Sequence, residues 1–101
     1  TIAPYAASKG GLKMLTKAMT VEWAKYNIQV NGIGPGYFIT EMTRVLAKDI
    51  KFDTWLRSRT PAGRWGEPSE LVGTAIFLAS EASDFINGQI IYVDGGLLSA
   101  I

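Results

Sequence analysis

Ile28-Gln29-Val30-Asn31-Gly32-Ile33-Gly34-Pro35-Gly36 is the stretch on which the fold of this chain turns. Apolar residues alternate from Ile28 to Ile33, the period of a short β-strand. Asn27 before it is a helix stop, and Gly34-Pro35-Gly36 after it is a break. A short apolar strand ending in glycine and proline, preceded by a helix, is one half of a helix–strand unit. The rest of the chain decides what that unit belongs to.

Upstream, the pattern predicts a helix from Pro4 to Tyr26. Proline is tolerated in a first helical turn, and no other proline interrupts the segment. Leu12, Leu15, Met19 and Trp23 form one apolar row, joined by Met14, Ala18 and Val21. Ala6, Ala7, Gly10 and Gly11 permit close approach by another element. A helix apolar over so much of its circumference is expected to be covered on two sides, by its own sheet and by a partner subunit.

Downstream, a weaker helical region spans Thr40 to Arg59, as Glu41 to Lys48 and Phe52 to Ser58 with a break near Asp49. Thr60 to Pro68 reads as a loop, with Pro61, Gly63, Gly66 and Pro68. Ser69-Glu70 opens a further helix, in which Leu71, Val72, Ala75, Ile76, Leu78 and Ala79 form an apolar stripe that ends near Ser80 to Ser83. Asn87-Gly88 is a turn, and Gln89 to Val93 is a β-branched strand closed by Asp94-Gly95-Gly96. The order is helix, strand, helices, strand. More than fifty residues including a helix separate the two strands, which suits a right-handed parallel crossover. Both strands are apolar enough for a sheet covered on both faces. The fold class is therefore α/β, as part of a doubly wound parallel sheet. Two strands do not make a stable covered sheet alone, and the chain opens at Thr1 without methionine. Both features lead to the expectation that residues 1–101 are the C-terminal half of one domain in a longer protein.

Composition narrows the chemistry. Ten basic and nine acidic residues give a net charge of +1, with no block of like charges to suit nucleic acid or an anionic membrane. Cysteine and histidine are both absent, which excludes a disulfide framework, a thiol nucleophile, a serine–histidine triad and a histidine-ligated metal within this chain. No metal site is expected. No apolar run approaches a membrane span and the start has no signal-peptide pattern, so a soluble, cytoplasmic protein is expected.

Tyr5 and Lys9 stand out in Pro4-Tyr5-Ala6-Ala7-Ser8-Lys9-Gly10-Gly11. Positions four apart in a helix share a face, one turn from each other. A fixed ammonium beside a phenol favours the phenolate, the form a tyrosine needs to accept a proton. The spacing alone describes equally a half-buried aromatic beside a solvated lysine.

Taken together, the motifs resemble the short-chain dehydrogenase/reductase family over essentially the full chain. Those that carry the resemblance are Tyr5-x-x-x-Lys9 and Gln29-Val30-Asn31-Gly32-Ile33-Gly34-Pro35-Gly36, then Thr40 and Met42, and Gly63-Arg64-Trp65-Gly66-Glu67-Pro68. Asn87-Gly88-Gln89 and Val93-Asp94-Gly95-Gly96 complete the set. Pro-Gly-Tyr-Phe-x-Thr-Glu-Met-Thr, Arg-Thr-Pro-Ala-x-Arg-Trp-Gly and Ala-Ser-Asp-Phe-x-Asn-Gly look most like the gluconate 5-dehydrogenase branch. The resemblance implies a Rossmann-type fold and an NAD- or NADP-dependent oxidoreductase. Hydride would pass between nicotinamide and a polyol or sugar acid of the gluconate/5-ketogluconate type. It implies that Tyr5 exchanges a proton with the substrate oxygen. Lys9 then favours the phenolate and hydrogen-bonds the nicotinamide ribose.

By the same resemblance Pro35 and Gly36 lie at the carboxyl end of a strand, where open α/β sheets bind ligands. Phe38 and Met42 wall the nicotinamide, and the Thr40 hydroxyl contacts its carboxamide or the pyrophosphate. Thr40 is equally placed for helix capping, with Thr43 three residues on. Ser8 is not the family's catalytic serine, which belongs upstream of Thr1. The assisting asparagine and the glycine-rich pyrophosphate turn also fall outside this chain, so NAD and NADP stay undistinguished. Asn31 and Asp94 are expected to bind backbone, and Gly95-Gly96 to form a turn. Trp55, Arg57 and Arg59 occupy the segment that closes over substrate in the family, or else form a solvated helix face.

The family implies a homo-oligomer, a tetramer built through the first helix. Three other readings stand beside the sugar-acid oxidoreductase. Two are enzymes, a 3-oxoacyl-carrier-protein reductase and another sugar dehydrogenase. The third belongs to a different class: a non-catalytic oligomerisation fragment.

Overall fold

A computed structural model describes residues 2–100. The elements in order are helix α1 (Ile2–Trp23), strand β1 (Gly32–Pro35), helices α2 (Arg44–Lys48), α3 (Ile50–Arg59) and α4 (Val72–Ala79), and strand β2 (Ile90–Val93). Single 3-10 turns lie between some of them. The helix–strand–helices–strand order read from the sequence is therefore the observed one. β1 and β2 pair as a two-stranded parallel sheet. The chain divides into two compact units, residues 2–33 with Ile76–Ile91 and residues 34–75 with 92–100. No helix among the described residues is long and apolar enough to cross a membrane.

In the first unit α1 begins two residues before Pro4 and tightens into a 3-10 turn over Ala24–Tyr26. Asn27 then turns left-handed at φ 58°, and its N–H donates to the Ala24 carbonyl at 2.9 Å. Asparagine tolerates that conformation, so the expected stop is where the sequence placed it. The apolar row behaves otherwise. Leu12, Leu15, Val21 and Trp23 are exposed in this chain, and the buried residue of α1 is Thr16. Its hydroxyl donates to the Leu12 carbonyl at 2.9 Å, and the Thr20 hydroxyl lies 2.8 Å from the Thr16 carbonyl and 3.1 Å from that of Val30. Gly88, at φ 71°, lies against Thr20, where an added Cβ would sit 3.3 Å from the threonine side chain. The threonine face thus holds α1 to the loops around Val30 and Gly88.

The strand expected over Ile28–Ile33 is shifted to Gly32–Pro35. Asparagine side chains explain the shift. Asn87 Oδ1 accepts the Val30 N–H at 2.7 Å, while Asn31 donates to the Ile86 carbonyl at 2.8 Å and accepts the Gln89 N–H at 3.0 Å. The Val30 N–H is therefore taken by a side-chain amide while its carbonyl accepts the Gly88 N–H at 2.8 Å, and the regular strand pairing starts with Gly32 N–H to the Gln89 carbonyl, also 2.8 Å. At the other end the strand continues through Gly34 and Pro35, where a break was expected. Proline is tolerated at strand positions that owe the ladder no donor.

The second unit packs its core around Phe38, Leu56 and Trp65, with Leu56 only 1% exposed. Asp49 separates α2 from α3 and caps the latter: its carboxylate accepts the N–H groups of Lys51 (2.9 Å) and Phe52 (3.2 Å). The Gly36 N–H donates to the Val93 carbonyl at 2.9 Å, at the same sequence offset as the Gly32–Gln89 bond. Asp94 closes β2 by accepting the N–H groups of Gly96 (2.9 Å) and Leu98 (3.0 Å), and Gly95 and Gly96 take positive φ. Both the backbone-binding role of Asp94 and the glycine turn agree with the sequence reading.

Candidate active site

Tyr5 and Lys9 occupy one face of α1, as their spacing predicts, with the lysine Nζ 5.6 Å from the centre of the phenol ring. Tyr5 is 65% exposed. Among the described residues, neither the phenol hydroxyl nor the ammonium has a hydrogen-bond or ion-pair partner. Ser8 lies between them, and its hydroxyl donates to the Tyr5 carbonyl at 2.8 Å. That is a local helix bond. A cation and a phenol are thus held one turn apart on one helix face, in contact with each other and with no hydrogen-bond or ion-pair partner among the described residues.

The residues assigned to nicotinamide lie in the second unit. An added Cβ on Gly36 would stand 2.7 Å from the Asp94 Cα and 2.8 Å from its Cβ. The glycine is thus required by the neighbouring strand end, whatever else approaches it, and its N–H is committed to Val93. Phe38 is 8% exposed and belongs to the core, while Met42 is 90% exposed. Thr40 and Thr43 are mutually bonded: the Thr43 hydroxyl accepts the Thr40 N–H at 2.9 Å, and the Thr40 hydroxyl accepts the Thr43 N–H at 3.2 Å. This is the capping geometry allowed by the sequence, and it closes the turn ahead of α2. The Thr43 hydroxyl also donates to the Phe38 carbonyl, so the segment from Phe38 to Thr43 is internally braced.

Two charge clusters in the second unit escaped sequence reading. Asp53 accepts the indole N–H of Trp65 at 2.7 Å and the Nε–H of Arg57 at 2.9–3.0 Å. The indole bond first, and the guanidinium second, hold its carboxyl below the usual range. Arg57 is thereby committed within its own helix, which favours the structural account of that residue. Arg64 forks onto Glu70 at 2.7 and 2.9 Å. With the Glu67 N–H also donating to it, Glu70 is lowered from 4.5 to about 2, and Arg64 is raised in return. The Arg64–Glu70 pair borders a shallow cleft of about 80 Å³ whose walls include Tyr37, Phe38, Thr60 and Asp94. The available signal was Glu67-Pro68-Ser69-Glu70, an acidic pair spaced three apart around a first-turn proline. Asp53 and Trp65 are twelve residues apart and carried no local signal.

The chain is similar to known proteins over essentially its full length. A family model described as "Enoyl-(Acyl carrier protein) reductase" (adh_short_C2) matches residues 1–98. The 5-keto-D-gluconate 5-reductase of Escherichia coli (strain K12) is 63% identical over 101 residues, which is all of this chain and 40% of that protein. The 2-dehydro-3-deoxy-D-gluconate 5-dehydrogenase of Formosa agariphila is 59% identical, over 100% of this chain and 39% of its own length. A crystal structure of a gluconate 5-dehydrogenase from Burkholderia cenocepacia J2315, in complex with NADP and tartrate, is 63% identical. It superposes with a TM-score of 0.93, covering 98% of this chain and 39% of that one. The chain thus spans about two-fifths of the length of the relatives it matches. Its element order, its Tyr5–Lys9 pair and a match over residues 1–98 place it in the short-chain dehydrogenase/reductase family.

Proposed function

We propose that the complete protein carrying this chain is a nicotinamide-dependent oxidoreductase acting at carbon 5 of a six-carbon sugar acid, of the gluconate/5-ketogluconate type. The observation that carries the reading is the uncommitted Tyr5–Lys9 pair on α1 in a chain of this family. All three relatives named above act, by their names, at position 5 of a gluconate skeleton. NAD or NADP, when bound, accepts or supplies the hydride. Tyr5 takes the proton from the substrate hydroxyl in oxidation and returns it to the carbonyl oxygen in reduction. Lys9 stabilises negative charge on the Tyr5 oxygen and presents its free N–H donors to the ribose hydroxyls. Pro35, Gly36, Phe38, Thr40 and Met42 form the segment offered to the nicotinamide ring. This chain is the C-terminal half of a single domain, and the dinucleotide-binding half lies outside it. The exposed apolar row of α1 is a subunit contact, and the complete protein is a homotetramer.

Turnover decides the function. The complete protein should reduce 5-ketogluconate with NADH or NADPH and, in reverse, oxidise gluconate with NAD or NADP. Tyr5→Phe should lower turnover about 10²–10⁴-fold with cofactor binding kept. A folded Tyr5→Phe variant that keeps most of its rate would overturn the assignment. One observation favours a second reading: the description of the family model names an acyl-carrier-protein substrate. Faster turnover of a 3-oxoacyl or enoyl thioester than of any sugar acid would put that reading first.

A further inference from the structure

We propose that Asp53 is a positioning residue: by holding the Trp65 indole it fixes the backbone on which the Phe38–Met42 segment is carried. The connection runs through six contacts in the second unit. The Asp53 carboxylate on α3 accepts the Trp65 Nε1–H at 2.7 Å, and Trp65 is 5% exposed, so its ring has one seat. The next residue, Gly66, pairs with the strand-like segment after β1: Gly66 N–H donates to the Tyr37 carbonyl at 2.8 Å, and Ile39 N–H donates to the Gly66 carbonyl at 2.9 Å. The Phe38 ring lies over Gly66 so closely that an added Cβ would be 2.6 Å from its edge. Finally, the Tyr37 ring meets Phe52 and Trp65 edge-on, with centroids 5.6 and 5.9 Å apart. Asp53 therefore acts on this backbone through Trp65 and Gly66, beside the separate ring contact of Tyr37 with Phe52. Removing the carboxylate takes from a buried ring the acceptor of its indole N–H, at a site the Asp53 side chain leaves only partly open to water, and so favours a shifted ring that finds another partner. A shifted ring carries Gly66 and the paired Tyr37–Ile39 segment with it.

This inference rests on the reading that residues 35–42 meet nicotinamide, and its test separates the two. In the complete protein, Asp53→Leu and Trp65→Phe are compared with wild type for binding of NADPH or NADH, whichever wild type binds more tightly, and of ADP-ribose or its 2′-phosphate. The latter pair lacks the nicotinamide. Affinity for the reduced cofactor should fall about tenfold in both variants, with the ADP-ribose ligand unchanged. Asp53→Asn, which keeps an acceptor for the indole, should recover most of the loss. Equal weakening of both ligands, or no change in a folded variant, overturns the proposal. Should Asp53→Leu not fold, Trp65→Phe carries the test, since it keeps an aromatic ring in the cluster. Should wild type bind neither cofactor, the functional reading fails. Hydrogen exchange then tests the positioning itself: the Ile39 and Gly66 amides should exchange about tenfold faster in Trp65→Phe, with α4 amides unchanged. Unchanged exchange at both would overturn it.

Discussion

Replacing Gly36 by alanine separates two explanations of the same glycine. One holds that the backbone at residue 36 must be bare so that nicotinamide can approach; the other is visible in the coordinates. The new Cβ would lie 2.7 Å from the Asp94 Cα, 2.8 Å from its Cβ and 3.2 Å from its carbonyl oxygen. Carbon atoms in contact prefer about 3.5–4.0 Å, so the strand ends must part by roughly 1 Å. The obstructing atoms are mostly backbone and have no rotamer to escape into. Overpacking of this kind costs about 1–3 kcal/mol. Parting the strands also stretches the 2.9 Å bond from Gly36 N–H to the Val93 carbonyl, worth about 1 kcal/mol net. Alanine returns about 0.4–1 kcal/mol by restricting the unfolded chain. The net expectation is a loss of about 1–3.5 kcal/mol in the absence of any cofactor. Urea titration of the complete protein, at one fixed concentration, should show a lower midpoint with an unchanged slope. An unchanged midpoint accompanied by weaker cofactor binding would refute the packing argument and return Gly36 to the ligand.

Three further outcomes follow from particular contacts. Lys9→Met, which removes an ammonium with no hydrogen-bond or ion-pair partner among the described residues, should weaken reduced-cofactor binding about tenfold or more without lowering the thermal midpoint; fluorescence titration reads the first and calorimetry the second. Asn31→Asp should destabilise the first unit by about 1–3 kcal/mol, because a carboxylate would face the Ile86 carbonyl where an amide now donates at 2.8 Å; chemical denaturation measures it. Glu70 titrates near 2 when folded and 4.5 when free, so its stabilising share is complete above 4.5 and is lost as pH falls toward 2. Amides of residues 67–71 should therefore stay protected from pH 7 to 5 and open below that window, and Glu70→Gln should abolish the pH dependence.

What the sequence could show was set by the range over which each interaction acts. Helix α1, the Asn27 stop, the Asp49 break and the Asp94-Gly95-Gly96 turn are local, governed by residues within four positions of each other. Each could be read from spacing and residue type. The Tyr5–Lys9 pair was legible for the same reason: one helical turn fixes both side chains. β1 was misplaced because Asn87 takes the Val30 N–H, and the Asn31 side chain takes the Ile86 carbonyl and the Gln89 N–H, each from more than fifty positions away. Alternating hydrophobicity carries no record of such a partner. Gly36 was assigned to the right place for a different reason from the one that its surroundings display, since a glycine in sequence does not say which neighbour needs the space. Asp53, Trp65 and Gly66 complete the pattern. Each alone is an ordinary helix acid, core aromatic or loop glycine, and their joint effect on Tyr37–Ile39 exists only once α3 and the loop after it are folded together. The proposed acid–base pair was thus written in one turn of helix, while the support for the proposed nicotinamide segment is distributed across residues 36–66. Chemistry that depends on spacing is readable early; precision that depends on packing is not.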